Sequence, residues 1–189
     1  PISRAIRSRR DAAYTPAPDI IHEVAGHVPM LVNPHYRRLL ARLGELGAWA
    51  EESPLDRCAF RLQRALSDAM AVPRSEQDAG RVQELRDRLE RLRTTMRDAP
   101  LSPATAVARL HWWTVEYGLI GATASIYGAG ILSSAAESAD VARGKKIALS
   151  ADCVRDDYDI TTVQPRYYVA DNWAHLDAVA TEVEGRYLK

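Results

Sequence analysis

The order of hydrophobic and polar positions predicts a chain of helices separated by proline breaks. Four stretches can form helices that bury one face: residues 20–27, 35–50, 55–70 and 172–187. A strongly apolar run at 104–120 is long enough for a buried core helix. Residues 158–170 are rich in β-branched and aromatic side chains, which with the loop after Gly128 is typical of short strands and turns. We therefore expect a mainly α fold with a few short β-strands and no parallel sheet.

A polar segment at 74–98 carries a stripe of apolar side chains. The spacing alternates between three and four residues along the stripe, which consists of Val82, Leu85, Leu89, Leu92 and Met96. This stripe is too short for an independent coiled coil, which needs about three or four heptads. Two interpretations stay open: a surface helix that packs one stripe on the body of the protein, or a helical hairpin that contacts a partner subunit.

The charge balance argues against partners that bind through simple electrostatics. The 189 residues contain 25 Lys and Arg against 25 Asp and Glu, so we expect no nucleic-acid or membrane partner. Hydrophobic residues at 47% and charged residues at 26% are typical of a globular protein. Cys58 and Cys153 form no CxxC pair, and no apolar run is long enough for a membrane span or signal peptide. The length and composition favour a single, soluble, cytoplasmic domain.

Candidate metal ligands occur in the segment HEVAGH at 22–27. It is similar to the HExxH motif of zinc proteases, but one more residue separates its histidines. On a regular helix, five residues at ~100° each leave His22 and His27 ~140° apart. To bind one metal they need a helix that ends or distorts between them, and Gly26 with Pro29 provides that opportunity. Metal-dependent hydrolysis is therefore disfavoured.

Glu116 is the candidate third ligand because it lies inside the apolar run 110–120, which contains no Lys or Arg. Burying an unpaired carboxylate is costly, so something positive should neutralise it. Two histidines and one carboxylate form the facial triad of non-heme Fe(II) oxygenases, and the same set also binds zinc. From the residues alone, a core glutamate paired with a distant arginine is an equal alternative, and the identity of the metal stays open.

Four segments in chain order resemble the pterin-dependent aromatic amino acid hydroxylases. YTPAPDIIHE at 14–23, continued by HVP at 27–29, resembles the iron-binding signature of that family. WWTVEYGL at 112–119 resembles the segment of its glutamate ligand, and IYGAGILSS at 126–134 resembles its substrate-pocket loop. QPRYYV at 164–169 is a weaker fourth match. The chain is identified as a member of this family, closest to a bacterial, phenylalanine 4-monooxygenase-like branch.

The resemblance implies a role for individual residues by position. The iron ligands would be His22, His27 and Glu116. Glu23 and His111 would bind the pterin cofactor, and Glu23 and Trp112 would act in catalysis. The residues that would bind the amino acid substrate are Arg7, Tyr14, Thr15, Pro16, Trp112, Gly130, Ser133, Ser134 and Glu137. Within this set, Arg7 would hold the substrate carboxylate, because a planar guanidinium suits bidentate binding.

The implied fold is the mainly α catalytic domain of these hydroxylases, spanning residues 1–189, with 74–98 as an inserted surface helix. The implied activity is ring hydroxylation of an aromatic amino acid, most simply phenylalanine, with Fe(II), a tetrahydropterin and O2. The alternative is a non-catalytic metal-binding domain of the same fold, used for binding or assembly. The family's pterin-stacking aromatic lies upstream of the position that matches Pro1, so an N-terminally incomplete domain is expected. The family's tetramer helix has no clear counterpart, which favours a monomer or homodimer.

Overall fold

The structure is a computed structural model that describes residues 20–70, 76–158 and 163–188. By contacts, these residues divide into two compact units, one formed by 52–101 and the other by 20–51 with 102–188. The described helices, in chain order, are α1 (Ile20–His22), the π-helical turn π1 (Glu23–His27), α2 (Val28–Met30), α3 (Pro34–Trp49), α4 (Pro54–Met70), α5 (Ala79–Asp98), α6 (Pro103–His111), the π-helical turn π2 (Trp112–Glu116), α7 (Ala129–Leu132), α8 (Ala135–Asp140), a 3₁₀ helix (Ala151–Arg155) and α9 (Trp173–Tyr187).

Side-chain caps set the starts of the longer helices. The Asn33 side chain accepts hydrogen bonds from two backbone N–H groups in the first turn of α3. Ser102 and Asn172 each accept one such hydrogen bond at the starts of α6 and α9. Pro34 and Pro103 occupy the first turns of α3 and α6, where a missing N–H costs nothing. The predicted helices at 35–50 and 172–187 are thus confirmed within one residue at each end.

The unit formed by residues 52–101 is a hairpin of α4 and α5. Its core consists of Leu62, Leu85 and Leu89, surrounded by Ala65, Leu66, Ala69 and Leu92. Three residues of the apolar stripe predicted for 74–98, Leu85, Leu89 and Leu92, therefore pack against α4. The described part of that helix begins at Ala79, with Asp78 as its cap, rather than at residue 74.

The other unit contains a four-stranded sheet in the order β2-β1-β4-β3. The strands are β1 (Leu119–Ile120), β2 (Ser125–Ile126), β3 (Lys145–Ala148) and β4 (Arg166–Ala170). β1 pairs with β2 in antiparallel fashion, but β4 is parallel to both β1 and β3. The expectation of no parallel sheet was therefore wrong. Strands of two to five residues are too short to show a hydrophobic pattern of their own, and their pairing is set by distant parts of the chain.

The apolar run at 104–120 does not form one continuous helix. Its α-helical part ends at His111, π2 follows, and the last two residues form β1. Gly118 lies between them, and a Cβ there would meet both the Thr114 carbonyl and the Tyr127 ring. The run is buried as expected, because α6 packs against α3, α9 and the 3₁₀ helix. This change of direction brings the end of π2 toward α7.

None of the helices in the described parts of the chain has the length and apolar character needed to span a membrane.

Replacing Asp156 by asparagine should destabilise the end of the 3₁₀ helix. Asp156 Oδ2 lies 2.6 Å from the Arg166 guanidinium and also accepts a hydrogen bond from the Tyr168 hydroxyl. Partial burial raises the pKa of Asp156, but these two partners outweigh it and hold the pKa below the ordinary value of 3.8. The carboxylate therefore stabilises the fold above about pH 4, and this contribution is lost as the pH falls below that value.

We expect Asp156→Asn to lower the free energy of unfolding by about 1 kcal/mol near neutral pH and by less near pH 3. Urea unfolding at both pH values measures the difference. Asp68→Asn, which removes an exposed ion pair with Arg64, is the matched control and should change little at either pH. An equal loss at both pH values for Asp156→Asn would contradict the assignment.

Candidate metal centre

The π-helical turn π1 places His22 and His27 side by side. The Val28 N–H bonds to the carbonyl of Glu23, five residues earlier, and residues five apart share a face of such a turn. The two Nε2 atoms lie 3.2 Å apart, and the rings meet edge to face. The i,i+5 spacing that excludes a shared site on a regular helix is therefore accommodated by a distortion of the helix rather than by its end.

Two residues that the sequence analysis singled out belong to this distortion. Pro29 has no N–H to bond to the carbonyl four residues earlier, which weakens the α-helical ladder there. Gly26 is buried, and a Cβ on it would lie 2.5 Å from the carbonyl oxygen of Ala129 in α7. Glycine at this position lets α7 approach the backbone of π1 closely.

A second π-helical turn, π2, presents Glu116 to the histidines. The Tyr117 N–H bonds to the carbonyl of Trp112 at 2.9 Å, again a step of five residues. Glu116 Oε2 lies 3.3 Å from His22 Nε2, and Oε1 lies 3.2 Å from His27 Nε2. Burial raises the pKa of Glu116, but the two histidines that face the carboxylate outweigh it and lower the pKa to about 2. The carboxylate is therefore ionised at neutral pH.

The three side chains fit a single divalent cation. Ligand atoms bound at right angles, each ~2.1 Å from one ion, lie ~3.0 Å apart, and the observed separations between His22, His27 and Glu116 are 3.2–3.3 Å. Imidazole and carboxylate suit Fe(II) and Zn(II) alike. Glu23 is a further carboxylate in reach, since its oxygen and the two histidine nitrogens lie within 4.8 Å of one another, but its side chain is exposed.

Each histidine has a hydroxyl partner at its second ring nitrogen. His22 Nδ1 lies 2.8 Å from Ser133 Oγ, and His27 Nδ1 lies 2.8 Å from the Tyr36 hydroxyl. The Ser133 hydroxyl donates its hydrogen to the carbonyl of Ala129, so it accepts from His22 Nδ1–H. That arrangement places the proton of a neutral His22 on Nδ1 and its lone pair on Nε2, the atom that would bind a metal.

Trp112 lies among aromatic side chains at the start of π2. Its ring stacks on Tyr158 at 4.2 Å and lies 4.7 Å from the ring of Tyr117. The indole N–H donates to Gln164 Oε1 at 3.4 Å. Gly130 makes room for this cluster, because a Cβ there would lie 2.9 Å from the Tyr117 ring. The cluster and Glu116 are thus held by the same turn.

Glu137 is a buried carboxylate that holds Gln164 in place. Its Oε1 accepts from the Gln164 N–H at 3.1 Å, and its Oε2 accepts from the Tyr167 hydroxyl at 2.6 Å. Burial raises the pKa of Glu137, although both hydrogen bonds oppose the rise. Ser134 caps α8 by accepting from the Glu137 N–H. Because Gln164 also accepts a hydrogen bond from the Trp112 indole, Ser134 and Glu137 are connected to Trp112 through Gln164.

His111 precedes Glu116 by five residues and lies at the other end of π2. Burial lowers the pKa of His111, and although the charge of Glu116 opposes this, the net shift is downward. A neutral imidazole therefore lies near Glu116 and His27 at neutral pH.

Comparisons with known proteins match the sequence of this chain to one family. A family model described as biopterin-dependent aromatic amino acid hydroxylase matches residues 2–61 and 99–183. The chain belongs to this family. The hairpin residues 62–98 lie outside the match, whereas all three candidate ligands lie inside it.

Several hydroxylases are similar to the chain over nearly its whole length. The phenylalanine-4-hydroxylase of Chromobacterium violaceum is 30% identical, over 100% of this chain and 50% of that protein. The enzyme of the same name from Caulobacter vibrioides is 31% identical, over 95% of this chain and 47% of that protein. A crystal structure of the Chromobacterium enzyme with bound iron(III) and 7,8-dihydrobiopterin has a TM-score of 0.51 and 25% identity, over 96% of this chain and 51% of that one. The chain spans about half the length of these relatives.

The fold class expected from the resemblance to the hydroxylase family is confirmed, since the similar structures share this mainly helical architecture. Of the residues that the resemblance selected, the described ones lie around π1, π2 and the segment 130–137. Arg7, Tyr14, Thr15 and Pro16 lie outside the described residues, and their roles stay predictions.

The sequence alone did not indicate several residues that support the candidate site. They are Tyr36 beside His27, and Tyr117, Tyr158, Gln164 and Tyr167 around Trp112 and Glu137. Three of these residues lie in segments that resemble the family, and this position could have indicated a role for them. They are Tyr117, Gln164 and Tyr167. Tyr36 gave no such signal, because its contact with His27 crosses a break between helices.

Proposed function

We propose that the protein is a non-heme iron, tetrahydropterin-dependent monooxygenase that hydroxylates the ring of an aromatic amino acid, phenylalanine first, with O2. The observation that carries this proposal is the convergence of His22, His27 and Glu116 through two π-helical turns, inside the segments that match the hydroxylase family. Three ligands on one side of an ion leave its other positions open for reactants.

In this proposal, His22, His27 and Glu116 hold Fe(II), while Glu23 and His111 face the pterin. When bound, iron, a tetrahydropterin and O2 together supply the oxidising chemistry that no side chain can perform. The chain's own residues would bind the metal, orient the substrate and exclude water. The neutral His111 adds no positive charge that would compete with the metal for Glu116.

Substrate orientation falls to the aromatic cluster and the residues near α7. Trp112 begins the π-helical turn that ends at Glu116, and its indole is fixed by Tyr158 and by the hydrogen bond to Gln164. The ring of the substrate packs along this indole, which keeps it close to the metal. The remaining contacts in the proposal come from Arg7, Tyr14, Thr15, Pro16, Gly130, Ser133, Ser134 and Glu137. Arg7 binds the carboxylate of the amino acid.

We propose a monomer or homodimer in the cytoplasm, acting on a small-molecule substrate. We also propose that the helix at 74–98 belongs to an insertion into the catalytic domain, which the unmatched residues 62–98 support.

Hydroxylation can be tested directly on the full chain. The protein is loaded with Fe(II) under anaerobic conditions, then mixed with tetrahydrobiopterin, O2 and one of phenylalanine, tyrosine or tryptophan. Liquid chromatography measures the hydroxylated products. We expect tyrosine from phenylalanine, at rates that fall to background when either iron or pterin is omitted.

Two other results would contradict the proposal in different ways. Stoichiometric iron without product from any of the three amino acids would favour the non-catalytic metal-binding domain. No iron binding at all would overturn the assignment of the metal centre itself.

A further inference from the structure

Tyr36 lies directly behind the metal ligand His27. Its side chain is fully buried, and its hydroxyl lies 2.8 Å from His27 Nδ1, the ring nitrogen that faces away from Glu116. Tyr36 belongs to the first turn of α3, where Asn33 Oδ1 accepts from the backbone N–H groups of His35 and Tyr36. The capped helix therefore fixes the backbone from which this hydroxyl extends.

Aromatic packing also fixes the ring of Tyr36. Its ring meets that of Tyr127 edge to face with centroids 6.5 Å apart, and Tyr127 packs in the same manner on Trp173 of α9 at 5.1 Å. The side chain is a phenol whose oxygen can accept a hydrogen bond.

We infer that Tyr36 is a positioning residue for the metal centre: its hydroxyl accepts the Nδ1–H of His27 and so holds Nε2 toward the metal. This inference rests on the proposed function, because it assumes that His27 binds a metal through Nε2. A neutral imidazole that binds through one nitrogen carries its proton on the other. A partner at that proton fixes both the tautomer and the rotation of the ring.

The two histidines then have equivalent supports from different elements. Ser133, at the end of α7, supports His22, and Tyr36, in α3, supports His27. The Ser133 side chain is half-buried, whereas Tyr36 is fully buried. Because each histidine has its own partner, loss of the Tyr36 hydroxyl should release His27 and leave His22 in place.

The test is the variant Tyr36→Phe, which keeps the ring and removes the hydroxyl. We expect its affinity for Co(II), titrated anaerobically and followed by the visible spectrum, to fall ~10- to 100-fold. Tyr127→Phe is the matched control, since it removes a hydroxyl from a neighbouring buried tyrosine whose hydroxyl makes no hydrogen bond to a histidine of the described residues. It should bind Co(II) within ~3-fold of the wild type.

A second readout separates positioning from general stability. In the Zn(II)-loaded protein labelled with ¹⁵N in histidine, the wild type should show a slowly exchanging proton on His27 Nδ1. This signal should broaden or disappear in Tyr36→Phe, while the corresponding signal of His22 persists.

Unchanged Co(II) affinity in Tyr36→Phe, or a wild-type His27 without a proton on Nδ1, would overturn the inference. The second result needs no variant, so it decides even if Tyr36→Phe fails to fold. Failure of the wild type to bind Co(II) or Zn(II) would instead overturn the metal centre, and with it the proposed function.

Discussion

Replacing Glu116 by glutamine will reduce the affinity for Fe(II) more than ~100-fold, a larger loss than removal of a supporting residue causes. Glu116 is the carboxylate placed between both histidine Nε2 atoms, at 3.2 and 3.3 Å. Its side chain is only 12% exposed, so little water can take the place of a lost ligand. A glutamine of the same shape keeps the packing but removes the negative charge that favours a cation. Because the variant then holds little iron, product formation should also fall to background.

Glu23→Gln is the matched control because Glu23 is the other carboxylate near the histidines. Its oxygen lies within 4.8 Å of both ring nitrogens, and the side chain is exposed. We expect Glu23→Gln to bind Fe(II) within ~3-fold of the wild type, as measured by anaerobic equilibrium dialysis and metal analysis. If Glu23→Gln loses the metal and Glu116→Gln keeps it, the ligand set is His22, Glu23 and His27 instead, and the comparison with facial-triad oxygenases fails.

The sequence located the candidate ligands but not the backbone that brings them together. The spacing of His22 and His27 already required a distorted helix, and Glu116 was conspicuous as a carboxylate in an apolar run. Which distortion occurs depends on packing as well as on local sequence. In π1 the distortion is accompanied by contact with α7, and in π2 by the turn into β1.

Residues that act through tertiary contacts could not be predicted in the same way. Tyr36 reaches His27 from the next long helix, and Glu137 reaches Trp112 only through Gln164. The parallel pairing of β1 with β4 likewise joins residues about 50 positions apart. The helices were easier to predict because their apolar stripes and capping residues are local.

A close backbone contact lies between π1 and α7 at Gly26. Gly26→Ala should lower the free energy of unfolding by about 2–3 kcal/mol, although alanine normally favours a helix over glycine by about 1 kcal/mol. The added Cβ would lie 2.5 Å from the Ala129 carbonyl oxygen, a backbone atom that cannot rotate away. That carbonyl accepts both the N–H and the hydroxyl of Ser133. Displacing it therefore moves the residue that supports His22, so metal affinity should fall with stability.

Gly44→Ala is the matched control within the same unit. Gly44 lies in the middle of α3, and a Cβ there would have nothing within 4 Å. This substitution should raise the free energy of unfolding by about 1 kcal/mol and leave Co(II) affinity unchanged. Urea unfolding of the metal-free variants and Co(II) titration measure the two effects. If Gly26→Ala is as stable as Gly44→Ala, α7 can move away from π1 without cost, and the close approach of these elements is not what fixes His22.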